Sequence, residues 1–156
     1  MTMELSGELV INKPLSTVRD TLTSPGKVAK CLPYLVSWEP RDKGFAATFR
    51  VDVGGIVEYL SRLTARASIE IREIDGNNID YLFEGSIARA RYSGVIHLNL
   101  EEEEPNKTRV RWRAEVELGR ALQLLSRFIN VDEFVDKIVA GVTESIISCV
   151  EKKQAG

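Results

Sequence analysis

The apolar residues of this chain follow two different periods, and the change between them limits the available folds. From Val57 to Ile71 every second residue is apolar or small, which is the pattern of a strand with one buried face. From Leu118 onward the apolar residues recur every three or four positions, as on one face of a helix. A sheet with one apolar face needs a covering layer. The pattern therefore predicts an α+β domain in which a long C-terminal helix covers a curved antiparallel sheet.

The strand pattern recurs in five further segments. They are Leu5–Ile11, Phe45–Val53, Ile79–Gly85, Tyr92–Leu100 and Thr108–Val116. Turn-forming sequences separate most of them, at Gly54-Gly55, Asp75–Asn78 and Glu104–Lys107. We expect a meander of about six strands after the first one.

Two short helices are predicted between the first strand and the meander. Asn12 is placed to cap the first helix, and Pro14 suits its first turn. Ser24-Pro25 opens the second helix. Pro33 ends it, because proline restricts the residue that precedes it.

The C-terminal helix has two possible forms. Asn130 and Glu133 have the spacing of a capping box, and Ile129 and Phe134 could form the accompanying hydrophobic contact. In the first form the helix breaks near Asn130. In the second form it runs without a break over 119–152 and is about 50 Å long.

Composition favours one folded domain, 1–156, since 44% of the 156 residues are hydrophobic and 28% are charged. The net charge of −2 offers no basic excess for a nucleic acid. No apolar run approaches the ~20 residues of a transmembrane helix, and we expect no signal peptide. We therefore predict a cytoplasmic protein without a transmembrane segment.

Cys31 and Cys149 are far apart in the sequence, and we expect them to be reduced. Cys31 could be a nucleophile, a zinc ligand or part of a pocket wall. Its only candidate base, His97, is predicted on the outer face of its strand, and zinc needs about four clustered ligands. We therefore expect no metal or cofactor, and we interpret the segment 31–34 as a packed corner between helix and strand.

A basic row, Arg109, Arg111 and Arg113, is predicted to face Glu101 and Glu103 on the neighbouring strand. Cross-strand ion pairs are the preferred interpretation. A patch for an acidic partner or for anionic headgroups is the alternative. No aspartate or glutamate is predicted on an inward face, which argues against a self-contained hydrolase or cyclase.

The inward face combines small residues with aromatic ones. The small residues are Ala47, Ala65, Ala67, Gly85, Gly94 and Ala114, and the aromatic ones include Phe49, Tyr59, Tyr81, Phe83, Tyr92 and Trp112. Such a face either packs closely against the helix or leaves an apolar cavity. The tyrosine hydroxyls and the Trp112 N–H could then orient a ligand.

The segment LSGELVINKPLSTVRDTLTSPGKVAKCLP and the later ALQLLSRFI resemble CoxG-like proteins, which are relatives of the G subunit of carbon monoxide dehydrogenase and members of the START/Bet v 1-like (SRPBCC) superfamily. The resemblance implies a helix-grip fold, with about seven antiparallel strands wrapped around a long C-terminal helix and enclosing an apolar cavity. Relatives usually have glycine after Cys-Leu-Pro, where this chain has Tyr34. Longer relatives also continue into an apolar membrane tail.

The resemblance further implies binding of lipids, isoprenoids or other hydrophobic molecules. CoxG-like relatives accompany molybdenum-containing CO dehydrogenases and are associated with membrane attachment and quinone handling. The cavity lining expected here is Phe49, Tyr59, Ala65, Ala67, Tyr81, Phe83, Tyr92, Trp112, Leu125, Phe128 and Val135. The expected cavity mouth is Leu32, Pro33 and Tyr34.

Three functions remain open at this point. The first is carriage of a hydrophobic small molecule, such as a quinone-like one, as an accessory to a CO dehydrogenase-like enzyme and with peripheral membrane contact as an option. The second is a small polyketide cyclase-type enzyme that uses Tyr59, Tyr81 or Tyr92. The third is an assembly factor that docks a protein partner and binds no ligand. We favour a binding protein over an enzyme.

Overall fold

A computed structural model describes residues 2–54, 62–127 and 130–153. In this part of the chain seven strands form one antiparallel sheet. The strands are β1 (Thr2–Ile11), β2 (Leu35–Arg41), β3 (Gly44–Asp52), β4 (Arg62–Glu73), β5 (Asn78–Ile87), β6 (Ala90–Glu104) and β7 (Lys107–Leu118). The helices are α1 (Leu15–Thr23), α2 (Pro25–Cys31), α3 (Arg120–Leu125) and α4 (Val131–Lys153).

The strand order is β1-β7-β6-β5-β4-β3-β2. Consecutive strands from β2 to β7 are neighbours, and β1 pairs with β7 in full register from Thr2 with Glu117 to Ile11 with Thr108. Helices α1 and α2 connect the two edge strands. Helix α4 packs against β1, α1 and α2. The sheet therefore wraps around the C-terminal helix, which confirms the predicted helix-grip fold.

Strand β2 is the one strand that the sequence pattern did not single out. Its alternation is weak, because Val36 is 55% exposed and the register with β3 shifts between Leu35 and Ser37. An edge strand with a bulge buries little of either face. It therefore leaves a faint hydrophobic signal.

The start of α1 differs from the prediction. Pro14 is the N-cap, and the helix begins at Leu15 without a side-chain cap. Asn12 instead donates its backbone N–H to Glu151 Oε1 at 2.9 Å. This contact fixes the end of β1 beside the C-terminal end of α4.

The C-terminal helical region is broken, so a continuous helix over 119–152 is wrong. Asn130 Oδ1 accepts the backbone N–H of Glu133 at 3.1 Å, which is the cap that the sequence predicts. Helix α4 has 23 residues and is about 35 Å long. The predicted Ile129–Phe134 contact lies outside the described residues, as does Gly55 of the predicted Gly54-Gly55 turn.

The core lies toward one end of the sheet. On β6 the side chains of Leu100 and Leu98 are 1% and 9% exposed, whereas Ile96 and Tyr92 are only partly buried. The buried end is closed by α1, α2 and the C-terminal half of α4. The inner face is therefore solid at one end and less filled from Ile96 to Tyr92, before burial returns at Ala90, which is 2% exposed.

Candidate functional site

The incompletely buried half of the inner face is the candidate ligand site. Along α4 the burial falls in the same direction as along β6: Val150 and Ile146 are 0% and 9% exposed, and Val142, Val139 and Val135 are partly buried. Two apolar surfaces on facing elements thus both retain accessible area. This is the arrangement that a hydrophobic guest can complete.

Three aromatic side chains of the inner face lie over glycines of neighbouring strands, two of them in this region and the third, Trp112, opposite Leu98. A β-carbon built on Gly94 would lie 2.6 Å from Phe83 Cζ, and one on Gly85 would lie 2.7 Å from the Tyr92 hydroxyl. These are two adjacent cross-strand pairs of β5 and β6, Phe83 with Gly94 and Gly85 with Tyr92. These side chains occupy the space above the two glycines, so they lie along the sheet.

Trp112 makes the third such pairing, with Gly7 of the edge strand. A β-carbon on Gly7 would lie 2.8 Å from Trp112 Cζ2, and the two residues are opposite each other in the β1–β7 register. Within the described residues the indole N–H of Trp112 donates to no acceptor, and no side-chain nitrogen or oxygen there is both fully buried and unpaired. The N–H is therefore accessible and free to donate to a bound molecule.

The tyrosine hydroxyls are less available than the sequence suggests. Tyr81 donates its hydroxyl to the carbonyl oxygen of Leu22 at 2.5 Å, and Tyr92 donates to that of Arg66 at 2.8 Å. Burial raises the pKa of Tyr81 and raises the pKa of Tyr92 to about 12. Both hydroxyls stay protonated near neutral pH. Tyr81 links β5 to α1, and Tyr92 links β6 to β4.

The Cys31-Leu32-Pro33-Tyr34 corner joins α2 to β2, as predicted, and it is held against one stripe of α4. Ser145 donates its hydroxyl to the Cys31 carbonyl oxygen, and a β-carbon on Gly141 would lie 2.6 Å from the Tyr34 hydroxyl. Cys149 completes the stripe. The spacing of four residues places Gly141, Ser145 and Cys149 on one side of the helix.

Cys31 and Cys149 form a disulfide, with their Cα atoms 5.5 Å apart. The expectation of a reduced pair is therefore wrong. The two cysteines are 118 positions apart in sequence, but the corner after α2 packs directly on the C-terminal half of α4. The disulfide also removes Cys31 as a nucleophile or metal ligand.

Tyr34 has a backbone φ of 67°, in the left-handed region that favours glycine. This conformation gives a physical reason for the glycine that the resemblance associates with this position. A tyrosine there costs about 1–2 kcal/mol of backbone energy. Its side chain contacts α4 at Gly141.

The other expected lining residues lie on several elements. Ala65 and Ala67 of β4 are flanked by Phe49 and Ala47 of β3 in register. Leu32 packs against both core clusters, so it belongs to the solid end. Leu125 is the last residue of α3. Tyr59 and Phe128 lie outside the described residues.

The outer face carries the predicted ion pairs of Arg109 and Arg111, whereas Arg113 lies opposite His97. Arg109 pairs with Glu103, and it also pairs with Glu8 at 2.7 Å, while Arg111 pairs with Glu101 at 2.6 Å. His97 also lies on this face. Its Nδ1 is 2.8 Å from Asp80 Oδ1. In the ranges that the structure describes, no cluster of three or more metal-ligating side chains is present.

Comparison with known families identifies the chain. The family model of the carbon monoxide dehydrogenase G subunit (CoxG) matches residues 7–154. The chain belongs to the CoxG family. No curated protein matches it.

Solved structures show the fold of this CoxG-family protein. A conserved protein from Geobacillus kaustophilus superposes with a TM-score of 0.78 at 14% identity, covering 96% of both chains. The Zhui aromatase/cyclase from Streptomyces sp. R1128 gives 0.64 at 13% identity, covering 98% of this chain and 93% of its own. A START superfamily protein from Mycobacterium smegmatis gives 0.50 at 12% identity, covering 92% and 98%. In the described residues no helix is long and apolar enough to span a bilayer.

Proposed function

We propose that this CoxG-family protein binds and carries a hydrophobic small molecule between the sheet and the N-terminal half of α4. The observation that carries the proposal is the falling burial of Leu100 to Tyr92 on β6 and of Val150 to Val135 on α4. Burial of a guest there would contribute about 25 cal/mol per Å² of apolar surface. The free N–H of Trp112 would orient a polar end such as a quinone carbonyl.

The direct test uses Trp112 as the reporter. The chain has two tryptophans, so Trp38→Phe leaves Trp112 as the only one. We expect decylubiquinone to quench its fluorescence saturably. Quenching without saturation, or saturable quenching that Trp112→Phe leaves unchanged while Trp38 remains, would contradict the site.

A second variant fills the space and uses an external reporter. Val135→Trp, in the Trp38→Phe, Trp112→Phe background, should block saturable binding of 1-anilinonaphthalene-8-sulfonate. Ala140→Trp is the matched control, because Ala140 is exposed on the same helix. Equal binding by both variants would place the guest elsewhere. Mass spectrometry of organic extracts after incubation separates carriage from catalysis, since a cyclase would convert its bound molecule.

The finer parts of the proposal are a quinone-like or isoprenoid ligand, an accessory role to a CO dehydrogenase-like enzyme, and a cytoplasmic location. The CoxG family supports the accessory role by association. Cytosolic disulfides are rare, so the redox state of Cys31 and Cys149 in cells tests the location. Co-purification with a molybdenum enzyme tests the partner.

A further inference from the structure

Tyr34 connects the sheet to α4 through its side chain. Its carbonyl oxygen accepts the backbone N–H of Arg50 on β3 at 2.9 Å, so its backbone is attached to the sheet. Its hydroxyl lies over Gly141 of α4. In the described part of the chain α4 packs mainly against β1, α1 and α2. The Tyr34 side chain therefore bridges the other side of the helix, between α4 and the edge formed by β2 and β3.

This bridge meets α4 at the border of the candidate ligand site. Toward the C-terminal end of the helix, Ser145 and Cys149 are bonded to the corner after α2. Toward the N-terminal end, Ile138 and Phe134 follow on the same side of α4, and both are partly buried. Of the described contacts between that corner and α4, the contact of Tyr34 is therefore the nearest to the N-terminal half of the helix, where the guest is proposed to bind.

The ring of Tyr34 is held less firmly than those of the other described tyrosines. The hydroxyls of Tyr81 and Tyr92 donate to carbonyl oxygens of other elements. Among the described residues the Tyr34 hydroxyl has no hydrogen-bond partner, and the side chain is partly exposed. Rotamer changes of exposed side chains take picoseconds to nanoseconds. Van der Waals contact with Gly141 is thus what keeps the ring on the helix.

The backbone beneath this ring is fixed. Cys31, at the start of the corner, is attached to α4 by the disulfide and by Ser145. The φ of 67° at Tyr34 and the glycine at position 141 within α4 are both locally unfavourable, and they meet in one contact. Retention of such strain is typical of functional sites. The ring can therefore turn while the chain that carries it stays in place.

We propose that Tyr34 controls the exchange of the hydrophobic guest. When its ring turns away from Gly141, the guest passes between α4 and the β2–β3 edge, and the returning ring closes this route. The inference rests on the proposed function, because it names the residue that governs access to that same site. A residue that limits passage changes the association and dissociation rate constants by the same factor and leaves the Kd unchanged. A residue that contacts the bound guest changes mainly the dissociation rate constant.

Stopped-flow fluorescence tests the assignment with decylubiquinone, and Trp112 is the reporter in the Trp38→Phe parent. We expect Tyr34→Gly to raise both rate constants about ten-fold with an unchanged Kd, since a conformational step that limits passage is removed. Glycine suits the φ of 67°, so this variant should fold. Tyr34→Asn also tolerates the left-handed region and should behave in the same way.

Three further variants separate passage from structure. Tyr34→Phe keeps the ring and loses a hydroxyl without a described partner, so its rate constants should match those of the parent. Gly141→Ala should accelerate exchange in the parent, because the new methyl group displaces the ring, and should have no effect in the Tyr34→Gly background. Val36→Ala is the matched control on β2, since Val36 is exposed, and it should change neither rate constant.

The outcomes distinguish the role of Tyr34 from the existence of the site. Saturable binding with unchanged rate constants in Tyr34→Gly and Tyr34→Asn would overturn the role of Tyr34 alone. A change confined to the dissociation rate constant would do the same, because Tyr34 would then contact the bound guest. Absence of saturable binding in the Trp38→Phe parent would overturn the proposed function, and the role of Tyr34 with it.

Discussion

The ring of Phe83 covers the α-carbon of Gly94 on the neighbouring strand, and a β-carbon at Gly94 would meet Phe83 Cζ at 2.6 Å and the carbonyl oxygen of Glu115 at 2.3 Å. The glycine is therefore required by its neighbours. It also lets the aromatic ring lie along the sheet. Gly94 and Phe83 thus form one packed unit at the edge of the candidate ligand site.

Gly94→Ala should lower the free energy of unfolding by about 1–3 kcal/mol, because the ring and the backbone of β7 must both move. Urea denaturation measures the change. Gly76→Ala is the matched control, since a β-carbon at Gly76 meets no atom within 4 Å and its φ is not in the left-handed region. That substitution should be neutral or slightly stabilising. Equal effects at the two positions would contradict the packing of Phe83 on Gly94.

Tyr92 makes the stability of the fold depend on pH in the alkaline range. Burial raises its pKa to about 12, whereas an unfolded tyrosine ionises near about 10. Between those pH values the unfolded state loses the proton first, so stability present below about pH 10 declines as the pH rises toward about 12. Tyr92→Phe should lower the free energy of unfolding by about 1 kcal/mol at about pH 7, because the hydrogen bond to the Arg66 carbonyl oxygen is missing. In the alkaline range the stability of this variant should decline less steeply than that of the wild type. Parallel pH profiles for the two proteins would refute the assignment to Tyr92.

The disulfide between Cys31 and Cys149 should contribute about 4 kcal/mol to stability, since it closes a loop of more than a hundred residues. Addition of dithiothreitol should lower the thermal midpoint of the wild type. Cys31→Ser with Cys149→Ser should be insensitive to the reductant and less stable than the oxidised protein. Mass spectrometry of the denatured, alkylated protein reports the redox state, and a wild type that alkylates fully without reductant would mean that the bond does not form.

Tyr34 and Gly141 should be energetically coupled. In an ordinary helix Gly→Ala stabilises by about 1 kcal/mol, but at Gly141 the new methyl group meets the Tyr34 hydroxyl. We expect Gly141→Ala to give no gain in the wild type and a gain of about 1 kcal/mol in the Tyr34→Gly background. A double-mutant cycle measured by urea denaturation gives the coupling energy. Additive effects would show that the ring of Tyr34 does not lie on α4.

The regular alternation of β3 to β7 made most of the sheet predictable, because each of these strands has one buried and one exposed face. The capping residue Asn130 likewise marked the start of α4. Contacts between distant segments were not predictable in this way. The disulfide depends on α2 and α4 being adjacent, and the loss of the Tyr92 hydroxyl as a ligand contact depends on Gly85 lying beneath the ring.

The predicted cavity lining stays a prediction, although the structure places Phe83, Tyr92 and Val135 in the incompletely buried half and Trp112 opposite Leu98, at the border with the core. The sequence shows which side chains face inward. It does not show that Trp112 retains a free N–H while the tyrosines use their hydroxyls, since that depends on the carbonyl groups of Leu22 and Arg66.

The stripe of Gly141, Ser145 and Cys149 restricts how the molecule can admit a guest. A steric fit, a hydrogen bond and a covalent bond, all along one side of one helix, make the 31–34 corner and α4 a single rigid body. On that side only a rotation of the Tyr34 ring can change the width of an entrance. A larger opening on that side would have to break the Cys31–Cys149 bond or separate Ser145 from the Cys31 carbonyl oxygen.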